Sequence, residues 1–184
     1  MVPLIVILGV LALMFMAIVS VYNKLVGLKN RMKEAWSGID IFLKKRHNLI
    51  PNLVATVKGY AVHEQKTFEE IARYRSDAMQ AKEQRERIAM ETGLGQALGR
   101  LMAVAESYPE LKANINFLEL QKQLTVIEEE LSLSRRYYNG TVRDNNIYIE
   151  KFPSNIIAGM FRFEKGTFFE IIDNTEKNVP IVSF

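Results

Sequence analysis

The first part of the chain is almost wholly apolar. No charged side chain occurs from Met1 to Asn23, and residues 2–22 read VPLIVILGVLALMFMAIVSVY. A helix of about 21 residues spans about 30 Å, which is the thickness of the hydrocarbon core of a bilayer. The pattern therefore predicts a transmembrane anchor over residues 1–23. Its representative positions are Val2, Leu8, Leu13, Phe15, Val21 and Tyr22.

A cleavable signal peptide is the alternative to a retained anchor. A signal peptide begins with a basic region and ends at small residues before its cleavage site. Here no Lys or Arg precedes the apolar run, and Val19 and Tyr22 do not fit a cleavage site. We therefore favour a retained anchor.

An apolar stripe with steps of three or four residues follows the anchor and predicts one face of a long α-helix. Pro51 lies within it, lacks a backbone N–H and clashes with the carbonyl of His47, so a kink is expected there. The stripe keeps its phase across Pro51, which favours one kinked helix over two separate helices. Its members are Leu25, Leu28, Met32, Trp36, Ile39, Leu43, His47, Ile50, Val54, Val57 and Ala61.

Further helices follow. Residues 64–91 are rich in helix-forming residues, and Gly93, Gly95 and Gly99 punctuate the sequence after them. The sequence Ser-Tyr-Pro-Glu at 107–110 has the features of a helix start, with Ser107 as the cap. A long helix with coiled-coil-like spacing is predicted from 109 to about 149. Its apolar positions are Phe117, Leu120, Leu124, Ile127, Leu131, Tyr138 and Val142.

The C-terminal region completes the predicted architecture. Phe152 and Pro153 end the long helix, and a short helix is expected from Ser154. The predicted class is all-α: a transmembrane helix, an antiparallel bundle of long helices, a short C-terminal helix and an apolar tail. The predicted domains are the anchor at 1–23, the bundle at 24–163 and a tail at 164–184 that packs on the bundle or on a neighbouring subunit.

Charge and cysteine content exclude several classes of site. The chain contains no Cys, so disulfides, thiolate nucleophiles and Cys-based metal sites are excluded. A net charge of +3 gives little support to nucleic-acid binding, and none is expected. Between residues 24 and 46 there are seven basic and two acidic side chains. The positive-inside rule then favours a cytoplasmic side for the bundle, unless these charges only solvate a helix face.

The histidines do not predict a metal site. His47 and His63 would lie about 24 Å apart on a straight helix, so they cannot share one ion. His63 and Glu64 begin like the zinc motif H-E-x-x-H, but Thr67 stands where the second ligand is needed. We interpret His47 as a hydrogen-bonded core residue and His63 as a surface residue.

Other candidate chemistry also has a structural explanation. Glu128, Glu129 and Glu130 fan around a helix and are interpreted as a solvated face. Asp40 is expected to form a structural pair with Lys44 or with a neighbouring helix. The three glycines at 93–99 do not have a dinucleotide-binding spacing and are interpreted as a helix joint or a close helix contact. No catalytic residue, metal ion or cofactor is predicted.

Four stretches resemble the bacterial LemA family. They are Tyr22-Asn23, WSGIDIFLKKRHNLIPNLVATVKGYAVHE at 36–64, YNGTVRDNN at 138–146 and FPSNIIAGMFRFEKGTFFE at 152–170. The resemblance covers nearly the whole chain. It implies an antiparallel bundle behind one membrane segment, with no established reaction or cofactor. Related proteins take part in magnetosome membrane formation, and their genes often lie near membrane proteases and envelope-stress functions. Some relatives begin with lipoprotein-type signals, which implies an extracytoplasmic domain in those proteins.

The motif residues are expected to specify helix docking, and the alternative is that they are only core residues and caps. The amides of Asn48 and Asn52 are expected to satisfy carbonyls that Pro51 frees. The docking residues are Tyr22, Asn23, Trp36, Ile39, Asp40, Leu43, Arg46, Asn48, Pro51, Asn52, Tyr60, Glu64, Phe152, Pro153, Phe161 and Phe163.

Three functions remain open at this point. The first is a non-enzymatic, self-associating scaffold in the bacterial cytoplasmic membrane that organises the membrane or acts in envelope stress. The second is an adaptor or regulator of a membrane protease. The third, a ligand-binding or enzymatic bundle, would need convergent polar groups in the core. The expected partners are the lipid bilayer, further copies of the chain, and a membrane protease or another envelope protein.

Overall fold

The protein, described by a computed structural model over residues 2–170, is all-α, as the sequence predicts. Six helices and no strand occur in that range. The helices are α1 (Val2–Lys58), α2 (Gln65–Gln80), α3 (Gln84–Glu106), α4 (Pro109–Lys112), α5 (Ile115–Glu150) and α6 (Ser154–Met160). The helix α1 continues through Pro51, which confirms one continuous helix; the kink itself stays a prediction.

The chain divides into two compact units. Within the described residues, unit 1 consists of residues 2–43 and 130–168, and unit 2 of residues 44–129 and 169–170. The two long helices, α1 and α5, contribute residues to both. The domain boundaries expected at residues 23 and 163 stay predictions.

Unit 2 has a large apolar core. One face of α1 meets faces of α2, α3 and α5 around it. The predicted stripes of α1 and α5 line this core: Ile50, Val57, Ala61, Phe117 and Leu124 are buried, and Val54, Leu120 and Ile127 are partly buried. About 25 cal/mol is gained per Å² of apolar surface removed from water, so this core is the main source of stability in the unit. Its buried members are Leu49, Ile50, Leu53, Val57, Ala61, Phe68, Ile71, Leu94, Ala97, Leu98, Leu101, Ala105, Leu111, Phe117 and Leu124.

Helix α3 begins at a point that the sequence does not mark. The glycines at 93–99 were expected to end or join helices, but α3 runs through them, and the interruption lies at residues 81–83 instead. Gly93 has a packing role. A Cβ at this position would lie 2.5 Å from the ring of Tyr74 on α2. The interpretation as a close helix contact is therefore confirmed at Gly93.

Gly93→Ala should destabilise unit 2 by about 1–2 kcal/mol. Overpacking against a ring costs about 1–3 kcal/mol, and the gain in helix propensity returns up to about 1 kcal/mol. Gly99→Ala is the matched control in the same helix, because a Cβ there would meet nothing within 4 Å. It should stabilise by up to about 1 kcal/mol. Urea unfolding measures both changes, and a stabilised Gly93→Ala variant would contradict the contact.

The long helix α5 begins later than predicted. The predicted start at residue 109 is wrong, because Pro109–Lys112 forms only the short α4 and Ser107 lies at the end of α3 rather than capping a new helix. Asn114 caps α5 instead. Its Oδ1 accepts a hydrogen bond from the Phe117 N–H at 3.1 Å, and its carbonyl accepts one from Leu118 at 3.0 Å.

Unit 1 contains α6, which was predicted from Ser154. It ends with two hydrogen bonds, Arg162 N–H to the Gly159 carbonyl at 3.3 Å and Phe163 N–H to the Ala158 carbonyl at 2.9 Å. This is a Schellman motif with Arg162 at the left-handed position, φ 55°. The motif reverses the chain after α6, so that Phe163 packs back beside Ala158.

Candidate functional site

A fully buried guanidinium lies in unit 2. Arg46 is 0% exposed. It lies on the most buried face of α1, three residues after Leu43 and four residues before Ile50. Its Nη2 donates to the Glu91 carboxylate on α3, and its Nη1 donates to Glu128 Oε1 on α5 at 2.8 Å. A planar fork of donors suits Arg, rather than Lys, to a position between two carboxylates. The ion network, defined as Arg46, His47, Glu91 and Glu128, therefore joins three helices.

His47 completes the network. Its Nε2 lies 2.9 Å from Glu91 Oε1, and the side chain is buried. The interpretation of His47 as a core residue with a polar partner is confirmed. His63 is exposed in the turn that follows α1, as predicted.

The charges of the network stabilise one another. Burial alone lowers the pKa of Arg46, but Glu128 and Glu91 outweigh it, so this pKa lies above its usual value. Burial alone raises the pKa of Glu91, but the hydrogen bond with His47 and the charge of Arg46 outweigh it, so this pKa lies below its usual value. Both groups therefore stay ionised at neutral pH despite their burial.

Acid should destabilise unit 2 through Glu91. Its pKa is lowered by folding from an ordinary 4.5, so its contribution is complete above that value. The contribution is lost as the pH falls below 4.5 and through the folded-state pKa. Urea midpoints measured from neutral pH downward should show this loss, and Glu91→Gln should flatten it. An unchanged acid slope in Glu91→Gln would contradict the assignment.

The carbonyl that Pro51 leaves without a donor is satisfied from another helix. Arg75 on α2 donates its Nε–H to the His47 carbonyl at 2.9 Å. The expectation that Asn48 and Asn52 supply this hydrogen bond is wrong. Both side chains lie on the exposed side of α1, whereas the carbonyl is reached from α2. Pro51 therefore creates an acceptor that fixes the position of α2.

A double-mutant cycle tests this role of Pro51. Arg75→Ala should cost about 1–2 kcal/mol, because it leaves a partly buried carbonyl without a donor. In the Pro51→Ala background the cost should fall, since the alanine introduced there has an N–H that can donate to the same carbonyl within the helix. Urea unfolding gives the four free energies, with the exposed Lys66→Ala as a control on α2. If Arg75→Ala cost the same free energy with Pro51 and with alanine at position 51, this role of Pro51 would be contradicted.

The two acidic partners of Arg46 are not predicted from the sequence. Glu91 belongs to no motif, and the prediction of a solvated face is wrong at Glu128, which pairs with Arg46. It is confirmed at Glu129 and Glu130, which are exposed. A signal exists in retrospect. Glu91 lies in phase with the buried Ile88 and Leu94, so a charge occupies an apolar position of α3.

The remaining predicted residues lie in both units. In unit 1, Ile39 and Leu43 are fully buried, Asp40 is half-buried and Asn23 is exposed. The Trp36 ring meets Tyr138 edge-on at 5.2 Å. The anchor positions are exposed except for Val21, which is half-buried, and they are Val2, Leu8, Leu13, Phe15, Val21 and Tyr22.

Tyr60 and Glu64 lie at the turn between α1 and α2. The Tyr60 hydroxyl accepts a hydrogen bond from Asn114 Nδ2 at 2.9 Å, so the same Asn114 caps α5 and contacts this turn. The Glu64 carbonyl accepts from the Thr67 and Phe68 N–H groups as α2 begins. Both residues thus take part in helix ends.

The described part of the tail in unit 1 docks on its own chain. Asn146 on α5 accepts from the Gly166 N–H at 2.8 Å and donates to the Gly166 carbonyl at 3.0 Å. The Tyr138 hydroxyl donates to the Thr167 carbonyl at 2.7 Å. Gly166 packs so closely against Met32 that a side chain would collide with it. The rest of the predicted tail, 171–184, lies outside the described residues.

The ion network is built for cross-linking rather than for chemistry on a substrate. Arg46 and Glu91 have no exposed surface, so a substrate cannot reach them. Within residues 2–170, no group of three or more His, Asp or Glu side chains is placed to hold a metal ion.

The fold and these contacts define a class: a helical protein with one N-terminal helix long and apolar enough to cross a membrane. The family model described as the LemA family matches residues 35–184, and the chain belongs to that family. The resemblance seen in the sequence is thereby confirmed.

Named relatives are similar to most of the chain. Magnetosome protein MamQ 2 of Paramagnetospirillum magneticum is 24% identical over 188 residues, which cover 88% of this chain and 68% of the relative. Magnetosome protein MamQ of Magnetospirillum gryphiswaldense is 22% identical with the same coverage. Protein LemA of Metamycoplasma hominis is 26% identical over 137 residues, covering 74% of this chain and 63% of the relative.

Proposed function

We propose that the chain is a non-enzymatic scaffold of the bacterial cell envelope, anchored in the membrane by the first part of α1. One observation carries the proposal. The first part of α1 is long and apolar enough to cross a bilayer, and it is not buried inside the protein. Soluble proteins rarely expose apolar patches larger than a few hundred Å². A bilayer is the environment that covers such a helix.

The charge bias supports a cytoplasmic side for the helical domain and an inner-membrane location. The exposed basic residues Lys24, Lys29, Arg31 and Lys33 follow the apolar segment closely, within the range where the positive-inside rule applies. Arg46 does not add to this bias, because it is buried between two carboxylates.

Self-association is supported by a second apolar stripe on α5. In unit 1, Leu133, Tyr137 and Ile147 are each more than half exposed. With Gly140 they lie within about 80° on one face, which also carries the exposed Asp144, and positions 133, 140 and 147 repeat every seven residues. A common membrane anchor aligns neighbouring copies in parallel. The exposed stripe of one copy then meets the same stripe of the next in register.

Membrane extraction tests the anchor. The full chain should stay in the membrane pellet after alkaline carbonate treatment. Leu8→Arg with Leu13→Arg should release it, because each central charge opposes insertion by about 2.5–3.5 kcal/mol. Met79→Arg changes an exposed apolar residue of α2 and is the control that should stay in the pellet. A soluble wild-type chain would contradict the proposal.

Cysteine labelling tests the side of the membrane. The chain has no Cys, so Ser132→Cys, at an exposed position of α5, introduces one labelling site. An impermeant maleimide should react only after the cells are lysed. Labelling of intact spheroplasts would contradict the cytoplasmic placement and leave the anchor itself in place.

A groove in unit 2 favours the second candidate function, an adaptor for a membrane protease or another envelope protein. The groove has a volume of about 510 Å³ between α1 and α5, and its polar lining residues are Lys45, Asn48, Asn52, Glu119, Lys122 and Gln123. Amide groups beside both basic and acidic side chains suit a peptide backbone. Capture of one stoichiometric partner, lost on Asn52→Ala and kept on Asn116→Ala, would favour the adaptor over the scaffold.

A further inference from the structure

We propose that α6 and its flanking residues form a second membrane contact, which lies in the lipid headgroup region beside the end of the anchor. This inference rests on the proposed anchoring of α1. All residues of this contact belong to unit 1. The proposed partner is the lipid interface rather than another protein.

The position of α6 is fixed by its inner face. Ile157 and Ala158 are buried in a cluster with Leu25, and Ile18 and Val21 pack against that cluster. Ile18 and Val21 belong to the uncharged, membrane-spanning part of α1. A helix that packs on these residues lies at the depth where the hydrocarbon core meets the headgroups.

Aromatic contacts place the residues after α6 at the same level. The Tyr22 ring lies 4.8 Å from the Phe161 ring and 5.8 Å from the Phe163 ring. Tyr22 is the last residue of the apolar run at 2–22. Clusters of aromatic residues are typical of the membrane interface, where the rings sit among the headgroups.

The outer face of α6 is apolar as well. Ile156 is 58% exposed and Met160 is 64% exposed, while Phe152 just before the helix is 75% exposed. In water, a seven-residue helix in a small domain needs only one apolar face. Two apolar faces are explained if the inner one packs on α1 and the outer one meets lipid.

The charges around α6 are those that an interfacial segment needs. From Lys151 to Phe163 the charged side chains are Lys151 and Arg162, and both are basic. The acids that flank this range are Glu150, which pairs with Lys165, and Glu164. Lys24 lies over the Tyr148 ring at 5.0 Å, and Lys29 lies 6.0 Å from the Phe163 ring. Basic side chains beside aromatic and aliphatic ones bind anionic headgroups while the apolar groups enter the acyl boundary.

Continuity with the anchor selects lipid over a second copy of the chain as the partner. The inner face of α6 packs with Val21, and Phe161 at the end of the helix contacts Tyr22. Because the anchor places Val21 and Tyr22 at the bilayer surface, the outer face of the same short helix lies at that depth. Lipid reaches that face in every copy without any assembly. The stripe proposed for self-association lies on α5 instead.

Spin-label accessibility in nanodiscs containing one full-length chain tests the contact. Ile156→Cys and Met160→Cys each provide one label on the outer face. Phe15→Cys is the reference inside the bilayer, and Ser132→Cys is the reference in water. The labels at 156 and 160 should be more accessible to oxygen than to a water-soluble nickel chelate, with a shallower depth than the label at 15.

The outcomes separate this contact from the anchor. Nickel-accessible labels at 156 and 160, with a lipid-exposed label at 15, would overturn the α6 contact and leave the anchor intact. Labels shielded from both reagents would indicate protein packing and would also overturn it. A nickel-accessible label at 15 would overturn the proposed anchoring itself, and with it this inference.

Discussion

Replacing Glu91 by Ala should lower the free energy of unfolding by about 3–5 kcal/mol. The change leaves Arg46 buried with only the partly exposed Glu128 as a charged partner, and an uncompensated buried charge has a cost of that size. Urea unfolding of the full chain in mild detergent, followed by circular dichroism, measures the loss. Glu70→Ala is the control, because Glu70 pairs with Arg100 at the surface, at 2.5 Å. It should cost less than about 1 kcal/mol.

A double replacement separates the ion network from simple packing. Arg46→Met with Glu91→Leu removes both buried charges while keeping much of their volume. Apolar replacement of a buried ion pair is often neutral or stabilising, so the double variant should recover most of the loss. Equal losses of unfolding free energy for Glu91→Ala and Glu70→Ala would contradict the stabilising role of the ion network. A double variant as unstable as Glu91→Ala would show that the loss of stability comes from altered packing rather than from the unpaired charge.

Replacing Asn146 by Ala should release the tail segment at 164–168 from α5. Two hydrogen bonds to Gly166 are lost, each contributing about 0.5–1.5 kcal/mol, so the local cost is about 1–3 kcal/mol. Each 1.4 kcal/mol is a tenfold change, so the backbone amide hydrogens of this segment should exchange with solvent about 5- to 140-fold faster. Asn116→Ala, an exposed amide on the same helix, should leave exchange unchanged. Unaltered exchange in Asn146→Ala would contradict docking through this side chain.

Periodicity was enough to predict the long helices. The apolar stripes of α1 and α5 step by three, four or seven residues, and burial of one face explains both helices without further information. The uninterrupted stripe also predicted that α1 continues through Pro51. The class of the fold therefore follows from local pattern alone.

Helix ends and polar pairings were harder to predict. Asn114 caps α5, although Ser-Tyr-Pro-Glu at 107–110 fits the capping rules better. Where a helix begins also depends on its packing against the other helices, which local sequence rules do not describe. The partners of Arg46 lie 45 and 82 residues away. Such pairs follow from how the helices pack, and a single sequence carries no signal of which helices meet.

Pro51 shows how a local rule can be right about the cause and wrong about the consequence. The missing N–H does leave the His47 carbonyl without a helical donor. The sequence predicts the neighbouring amides of Asn48 and Asn52 as donors, yet Arg75 of α2 supplies the hydrogen bond. The proline is better understood as part of the contact between α1 and α2.

The proposed scaffold is tested most directly by the mass of the full-length protein in mild detergent, measured by light scattering with correction for the bound detergent. We expect a discrete assembly of two or more chains. Leu133→Glu with Ile147→Glu should reduce it to one chain at unchanged helicity, while Met79→Glu should leave the assembly intact. A wild-type protein that is a clean monomer would contradict self-association and would favour the adaptor function instead.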